Sequence, residues 1–283
     1  MYKLLTNCAG VWIFVTVLAN GLALGDLHSD PDTGKWVEDG FDVRVYAQLP
    51  DHVGRFAFAR GGSFGTDLYV TSRYGKIYKV TSDGGVTLFG TAPDDLFGIT
   101  FSDPASDFGD YMYLGSGDGY WGGNRTIYRM DSSGSAEVFF DGSNFLGGTA
   151  NAINFAPEGG PFASYLYTQD DNPNRVYRID SSGIATQFGG DIPLAFDFIF
   201  DQWGRFEGNL FVIQSEKSEH GSGSDNIWRV EPDGTTTMFL PDASQVHNGG
   251  GDITPPGSAF GGDIYYIDNH WYHSGDVYRV PPD

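Results

Sequence analysis

A four-residue phrase returns along the chain at an almost constant interval. It reads Ile77-Tyr78-Lys79-Val80, Ile127-Tyr128-Arg129-Met130, Val176-Tyr177-Arg178-Ile179, Ile227-Trp228-Arg229-Val230 and Val277-Tyr278-Arg279-Val280. Its aromatic falls at positions 78, 128, 177, 228 and 278, so the intervals are 50, 49, 51 and 50 residues. Each copy follows a second short run: Leu68-Tyr69-Val70, Met112-Tyr113-Leu114, Leu166-Tyr167-Thr168, Leu210-Phe211-Val212 and Ile264-Tyr265-Tyr266. The first four copies lead into a polar glycine turn, such as Asp131-Ser132-Ser133-Gly134, and then a third run, such as Val86-Thr87-Leu88-Phe89. An apolar run opens each unit, as in Phe56-Ala57-Phe58, Ile99-Thr100-Phe101 and Phe198-Ile199-Phe200. β-Branched and aromatic residues punctuated by Gly, Asp and Ser are strand and turn chemistry. A unit this short cannot bury its apolar faces alone, so the repeats must pack on one another.

Four short strands in about 50 residues is the pattern of a propeller blade. The fifth unit reaches Asp283 without a fourth strand, and Asp42-Val43-Arg44-Val45-Tyr46 has the composition to supply one. The expectation is an all-β, five-bladed β-propeller over residues 41–283, with four antiparallel strands per blade. The N-terminal strand would close the ring and remove its open edges. Residues 26–40 read as a flexible segment before it.

The Gly/Asp turns and the [IV]-Tyr-Arg-[VI] strand resemble the NHL and SMP-30/gluconolactonase-like propellers. Ala150-Asn151-Ala152-Ile153-Asn154-Phe155 is similar to the Pro-Asn-Gly-Ile-Ala-Phe phrase that supplies an Asn metal ligand in the second group. The resemblance implies Asn151 as a ligand. That group usually has six blades where this chain counts to five, and its early Glu ligand has no counterpart here.

Composition narrows the partners. Against 37 acidic side chains stand 16 basic ones, a formal net charge of −21. Nucleic-acid binding needs a basic footprint, and anionic membranes repel such a chain. Aromatic content of 16% excludes a disordered chain, and 41 glycines argue against a helical bundle. The one cysteine, Cys8, lies in residues 1–25, where Lys3, the apolar Val11–Val15 run and Ala23-Leu24-Gly25 read as a secretory signal peptide. The competing reading is a retained anchor, which Asn7, Asn20 and Gly21 weaken as a span. The expected location is secreted or periplasmic, with no membrane contact after signal removal, and the expected state is monomeric. A disulfide-free exported fold must rest on its core or on bound metal. Asn124-Arg125-Thr126 is a glycosylation sequon if the host is eukaryotic.

Loops alternate between the two faces of a propeller. Those joining the first strand to the second are short and alike here. The basic residue of each phrase repeats in all five units and a polar glycine turn in four, reading Asp-Ser-Ser-Gly in two of them, which marks them as architecture and hairpin chemistry. Loops from the second strand to the third, and from one unit to the next, differ from blade to blade. Of six histidines, five fall in those loops: His52, His220, His247, His270 and His273. One central site on that face is the expectation. Aligning the opening strands puts Asp252 in a column with Phe56, Ile99, Ile153 and Phe198, and Asp197 in one with Arg55, Gly98, Ala152 and Gly251. An inward carboxylate near the axis costs several kcal/mol unless it meets a metal, a cation or hydrogen bonds.

The candidate site follows. Asn151, Asp197 and Asp252 are the metal candidates; carboxylate and amide oxygen suit Ca, while imidazole suits Zn or Mn. His247, His220, His270 and His273 are the catalytic candidates, as acid/base groups titrating near neutrality. Tyr120, Trp121, Trp271, Tyr272 and Asp171 are candidates for substrate contact, the rings as stacking or apolar walls. No P-loop, dinucleotide fingerprint or Gly-x-Ser-x-Gly elbow is present, so neither a nucleotide nor a flavin is expected. The expected activity is metal-assisted hydrolysis or lyase chemistry on a small ester, lactone or carbohydrate. The alternative is a non-catalytic carbohydrate- or protein-binding propeller.

Overall fold

The computed structural model describes residues 2–7, 11–16, 27–29, 36–38, 42–45, 47–72, 74–117, 125–143, 152–170, 175–190, 192, 195–214, 226–241, 251–253, 262–267 and 277–281. Five strands come first: β1 Tyr2–Asn7, β2 Val11–Thr16, β3 Leu27–Ser29, β4 Trp36–Glu38 and β5 Asp42–Val45. Four antiparallel sheets of four strands follow. The first blade is β6 Val53–Phe58, β7 Leu68–Ser72, β8 Lys76–Val80 and β9 Val86–Thr91. The second is β10 Leu96–Phe101, β11 Met112–Ser116, β12 Thr126–Met130 and β13 Ala136–Asp141. The third is β14 Ile153–Phe155, β15 Leu166–Asp170, β16 Arg175–Ile179 and β17 Ala185–Gly189. The fourth is β18 Ala195–Phe200, β19 Leu210–Gln214, β20 Ile227–Val230 and β21 Thr236–Leu240. The last sheet has three strands: β22 Gly251–Ile253, β23 Ile264–Ile267 and β24 Val277–Val280.

Two expectations are corrected. The described residues form four complete blades, not five, and β5 does not close the ring on β24. It pairs instead with β2, Val15 opposite Val43 and Phe14 opposite Arg44. A physical reason is proximity along the chain. The presumed leader also forms structure, with β1 and β2 pairing as a hairpin.

The blades pack through a repeated aromatic device. In the first blade Phe64 and Tyr69 meet Phe89 of the outer strand and Phe101 of the next blade, with Tyr69 and Phe89 ring centres 5.0 Å apart. Phe108, Tyr113, Phe139 and Phe155 repeat it, as do Phe162, Tyr167, Phe188 and Phe200. Edge-on contacts of this kind add to the large apolar area that such rings bury. Phe89, Phe139, Phe188 and Phe239 are each the extra residue of a β-bulge in the outer strand, which turns the ring into the junction. The turn of the next blade docks on the same bulge. Gly134, Gly183 and Gly234 have φ of 83°, 82° and 88°, a region that glycine alone enters freely. A Cβ on Gly234 would lie 2.1 Å from the Phe188 carbonyl oxygen.

One junction varies the theme. Tyr69, Tyr113 and Tyr167 each donate a hydroxyl hydrogen bond to the carbonyl of Phe64, Phe108 and Phe162. The fourth blade has Phe211 in that column, and Asn209 Nδ2 donates to the Phe206 carbonyl instead, at 2.9 Å. A buried carbonyl must be satisfied, whichever side chain does it.

Candidate functional site

The repeat breaks down at the inner ends of the opening strands. The ladder is irregular between Val53 and Phe56 in β6, between Leu96 and Gly98 in β10, and between Ala195 and Asp197 in β18. Such bulges re-aim side chains and are common beside functional sites. Here they carry Arg55 and Asp197. The Arg55 guanidinium donates Nη1 to Asp197 Oδ1 at 3.1 Å, joining the first and fourth blades through the centre. Both side chains are about one-fifth exposed, at 21% and 20%. The Arg55 backbone is fixed behind them, its N–H donating to the buried Thr71 hydroxyl at 2.9 Å. Gly54 admits this approach, because a Cβ there would sit 2.7 Å from the Leu96 carbonyl oxygen. Asp197 Oδ1 also accepts the Phe198 N–H at 2.9 Å. Two residues further along the strands, Thr100 donates to Asn154 Oδ1 and Asn154 Nδ2 donates to the Phe198 carbonyl, both at 3.2 Å. This second bridge ties the second, third and fourth blades together.

The expected axial carboxylate thus meets a cation, and that cation is Arg55. Sequence reasoning does not single out Arg55, although the alignment column that holds Asp197 holds it too. Asp252, on β22 opposite Tyr265, is exposed and accepts the Ile253 N–H at 2.8 Å. His220, His247, His270, His273, Tyr120, Trp121, Trp271, Tyr272, Asp171 and Asn151 lie outside the described residues. Among the described residues no three His, Cys, Asp or Glu side chains come together as a metal site. Asp197, charge-balanced by Arg55, therefore does not make a centre with the described groups alone.

Other polar residues of the loop face belong to the scaffold. Tyr78 and Lys76 both donate to Asp51, holding its carboxyl below the ordinary range, Lys76 the more strongly. Tyr128 donates likewise to Asp94; burial, then this bond, pushes its phenol up to about 12. His52 is exposed and meets Tyr74 edge-on at 6.5 Å. The repeated basic residues also act as architecture. Arg178 stacks 4.6 Å over Tyr165, Arg129 stacks 4.9 Å over Tyr111, and Lys79 pairs with Asp67 at 2.7 Å. The Asp131 and Asp180 carboxylates accept the N–H and hydroxyl of their own turns, as hairpin chemistry requires.

On the opposite face a depression of about 260 Å3 opens between Pro157, Glu158, Phe162, Phe200 and Gln202. Asp201 beneath it is spent on the chain, accepting N–H groups from Arg205, Phe206 and Gly208.

No protein-family model matches the chain, and no curated protein matches it in sequence. Solved structures do match. A chain of a nidogen/laminin complex is 13% identical over 92% of this chain and 82% of that one, with a TM-score of 0.60. A gluconolactonase from Xanthomonas campestris is 15% identical over 82% of this chain and 77% of that one, with a TM-score of 0.53. A luciferin-regenerating enzyme is 16% identical over 91% of both chains, with a TM-score of 0.54. At these identities the likeness is one of fold: the chain shares the antiparallel propeller architecture of these proteins.

Proposed function

We propose that the chain is an exported propeller of five repeat units with one small-molecule site at the axial mouth. There it acts as a hydrolase or lyase on a small ester, lactone or carbohydrate. The observation that carries this reading is the Arg55–Asp197 pair. It is polar and central, and it joins the first and fourth blades at the inner ends of β6 and β18, where the ladders are irregular. A site repeated in every blade would read as a lectin; one asymmetric centre reads as a single pocket. In this reading Arg55 and Asp197 orient the ligand, and His220, His247, His270 and His273 move protons. Asn151 and Asp252, with Asp197, are the groups a divalent ion would use, supplying Lewis-acid polarisation of a carbonyl. Tyr120, Trp121, Trp271, Tyr272 and Asp171 contact the substrate.

The test is to assay purified protein for bound metal and for turnover of lactones, aryl esters and glycosides. Turnover that falls at least about tenfold in His247→Ala and Asp197→Ala, with the melting temperature kept, supports the reading. A second reading, a non-catalytic binding propeller, is favoured by the charge balance of Arg55 against Asp197, which suits a ligand-recognising floor. Saturable glycan or protein binding with no turnover establishes that alternative. Failure of both assays overturns both readings.

A further inference from the structure

The loop that follows β5 is built into the first blade. Ala47 and Leu49 are buried against Leu68, Val70, Tyr78 and Val80. At the next junction the corresponding residues Met112, Leu114, Tyr128 and Met130 pack against the preceding blade. So Ala47 and Leu49 occupy the place where a blade should precede the first. The hydrogen bonds fix the alignment: Tyr78 binds Asp51 as Tyr128 binds Asp94. Counting back from these aspartates sets Val43 in the column of Val86, Ala136 and Thr236, and Tyr46 in that of the bulged phenylalanines. By sequence register β5 is an outer strand, and among the repeat units the last sheet, β22-β23-β24, shows three strands among the described residues where the others show four. Yet β5 pairs with β2.

From this we infer a strand exchange. Asp42–Val45 has two exclusive partners, β2 and the outer edge of β24, and loss of residues 1–25 transfers it from the first to the second. The inference rests on the reading of those residues as a removable leader. Pairing in the complete blades gives the register of the product. Val80 faces Val86, Met130 faces Ala136 and Val230 faces Thr236, so Val43 would face Val280. The same register sets Arg44 opposite Arg279, where the second blade has Glu137 opposite Arg129. Like charges directly opposed weaken a strand pair, so the β24 edge holds β5 loosely enough for β2 to compete. While β2 holds β5, the outer edge of the fifth sheet is not closed by this strand; after processing, the ring is complete.

The test uses the full chain in a Cys8→Ser background, with a protease site inserted between Gly25 and Asp26 so that cleavage follows folding. Val15→Cys with Val43→Cys reports the first pairing, and Val43→Cys with Val280→Cys reports the second. The expected result is a strong 15–43 cross-link before cleavage and a 43–280 yield that rises at least about fivefold after it. A second variant needs no cleavage: Arg44→Glu should raise the 43–280 yield in the intact chain. A 43–280 yield that is the same before and after cleavage, or absent from both, overturns the exchange. So does an unchanged yield in Arg44→Glu. The leader reading is tested separately, by the intact mass of the exported protein, so its failure is distinguishable.

Discussion

The blade junctions and the axial mouth obey opposite rules. At the junctions the same four aromatic positions recur, the same bulge aims Phe89, Phe139, Phe188 and Phe239, and the same glycine docks on it. At the mouth the strand irregularity recurs but the side chains do not: Arg55 comes from one blade, Asp197 from another, and Gly98 holds the same column between them. Repetition is what packing demands, since each junction solves one steric problem. A single ligand demands no symmetry. The contrast therefore separates residues that hold the ring from residues free to do chemistry, and it can be attacked from both sides.

The largest effect should come from a junction glycine. Gly234→Ala puts a methyl group 2.1 Å from the Phe188 carbonyl oxygen at a φ of 88°, and both backbones would have to move. A loss of about 3 kcal/mol is expected in urea unfolding, the upper range for strained backbone. Next comes alkaline pH. Burial raises the phenols of Tyr69, Tyr113 and Tyr167 at the junctions, and pushes Tyr128 up to about 12. The unfolded phenols titrate near 10, so this stabilisation is intact below pH 10 and is lost as pH climbs from there through about 12. Phenolate absorbance should appear together with the loss of sheet signal. Ionisation well before unfolding would mean that the junctions are wet.

A finer effect distinguishes one junction from its neighbours. Asn209→Ala removes the side-chain donor to the Phe206 carbonyl, leaving only the residue 209 backbone N–H at 3.2 Å, and should cost about 1 kcal/mol. Adding Phe211→Tyr should recover most of it, by installing the hydroxyl bond that Tyr69, Tyr113 and Tyr167 make. Equal stabilities for the single and double variants would break the idea that one steric problem is solved four times.

What was legible in the sequence follows the same division. The blades were, because a 50-residue period writes each strand several times over and errors in one copy are corrected by the others. The Asn209 substitution was not: Phe211 visibly departs from the tyrosine column, but nothing in one dimension says which neighbour covers the exposed carbonyl. The β2–β5 pairing was not legible, because a fifth unit lacking its fourth strand argues for closure, while the nearer competitor β2 sits inside a segment read as a leader. Asp197 was found from its column. Its partner lies 142 residues away, and only the folded ring puts Arg55 beside it.

The smallest change in stability is expected where the change in function should be greatest. Asp197→Asn and Arg55→Met each remove one half of the axial pair. With both side chains about one-fifth exposed, water still screens the charges, so a double-mutant cycle should give a coupling of only about 1 kcal/mol. A junction residue cannot be altered so cheaply. If the pair is a floor for a ligand, the two variants should keep the melting temperature and lose binding or turnover. If it is another strut of the ring, stability should fall by several kcal/mol, as at Gly234, and the contrast between junction and mouth would dissolve. The physical ground for the first outcome is satisfaction: Asp197 Oδ1 keeps the Phe198 N–H when Arg55 is gone, so the carboxylate is not stranded.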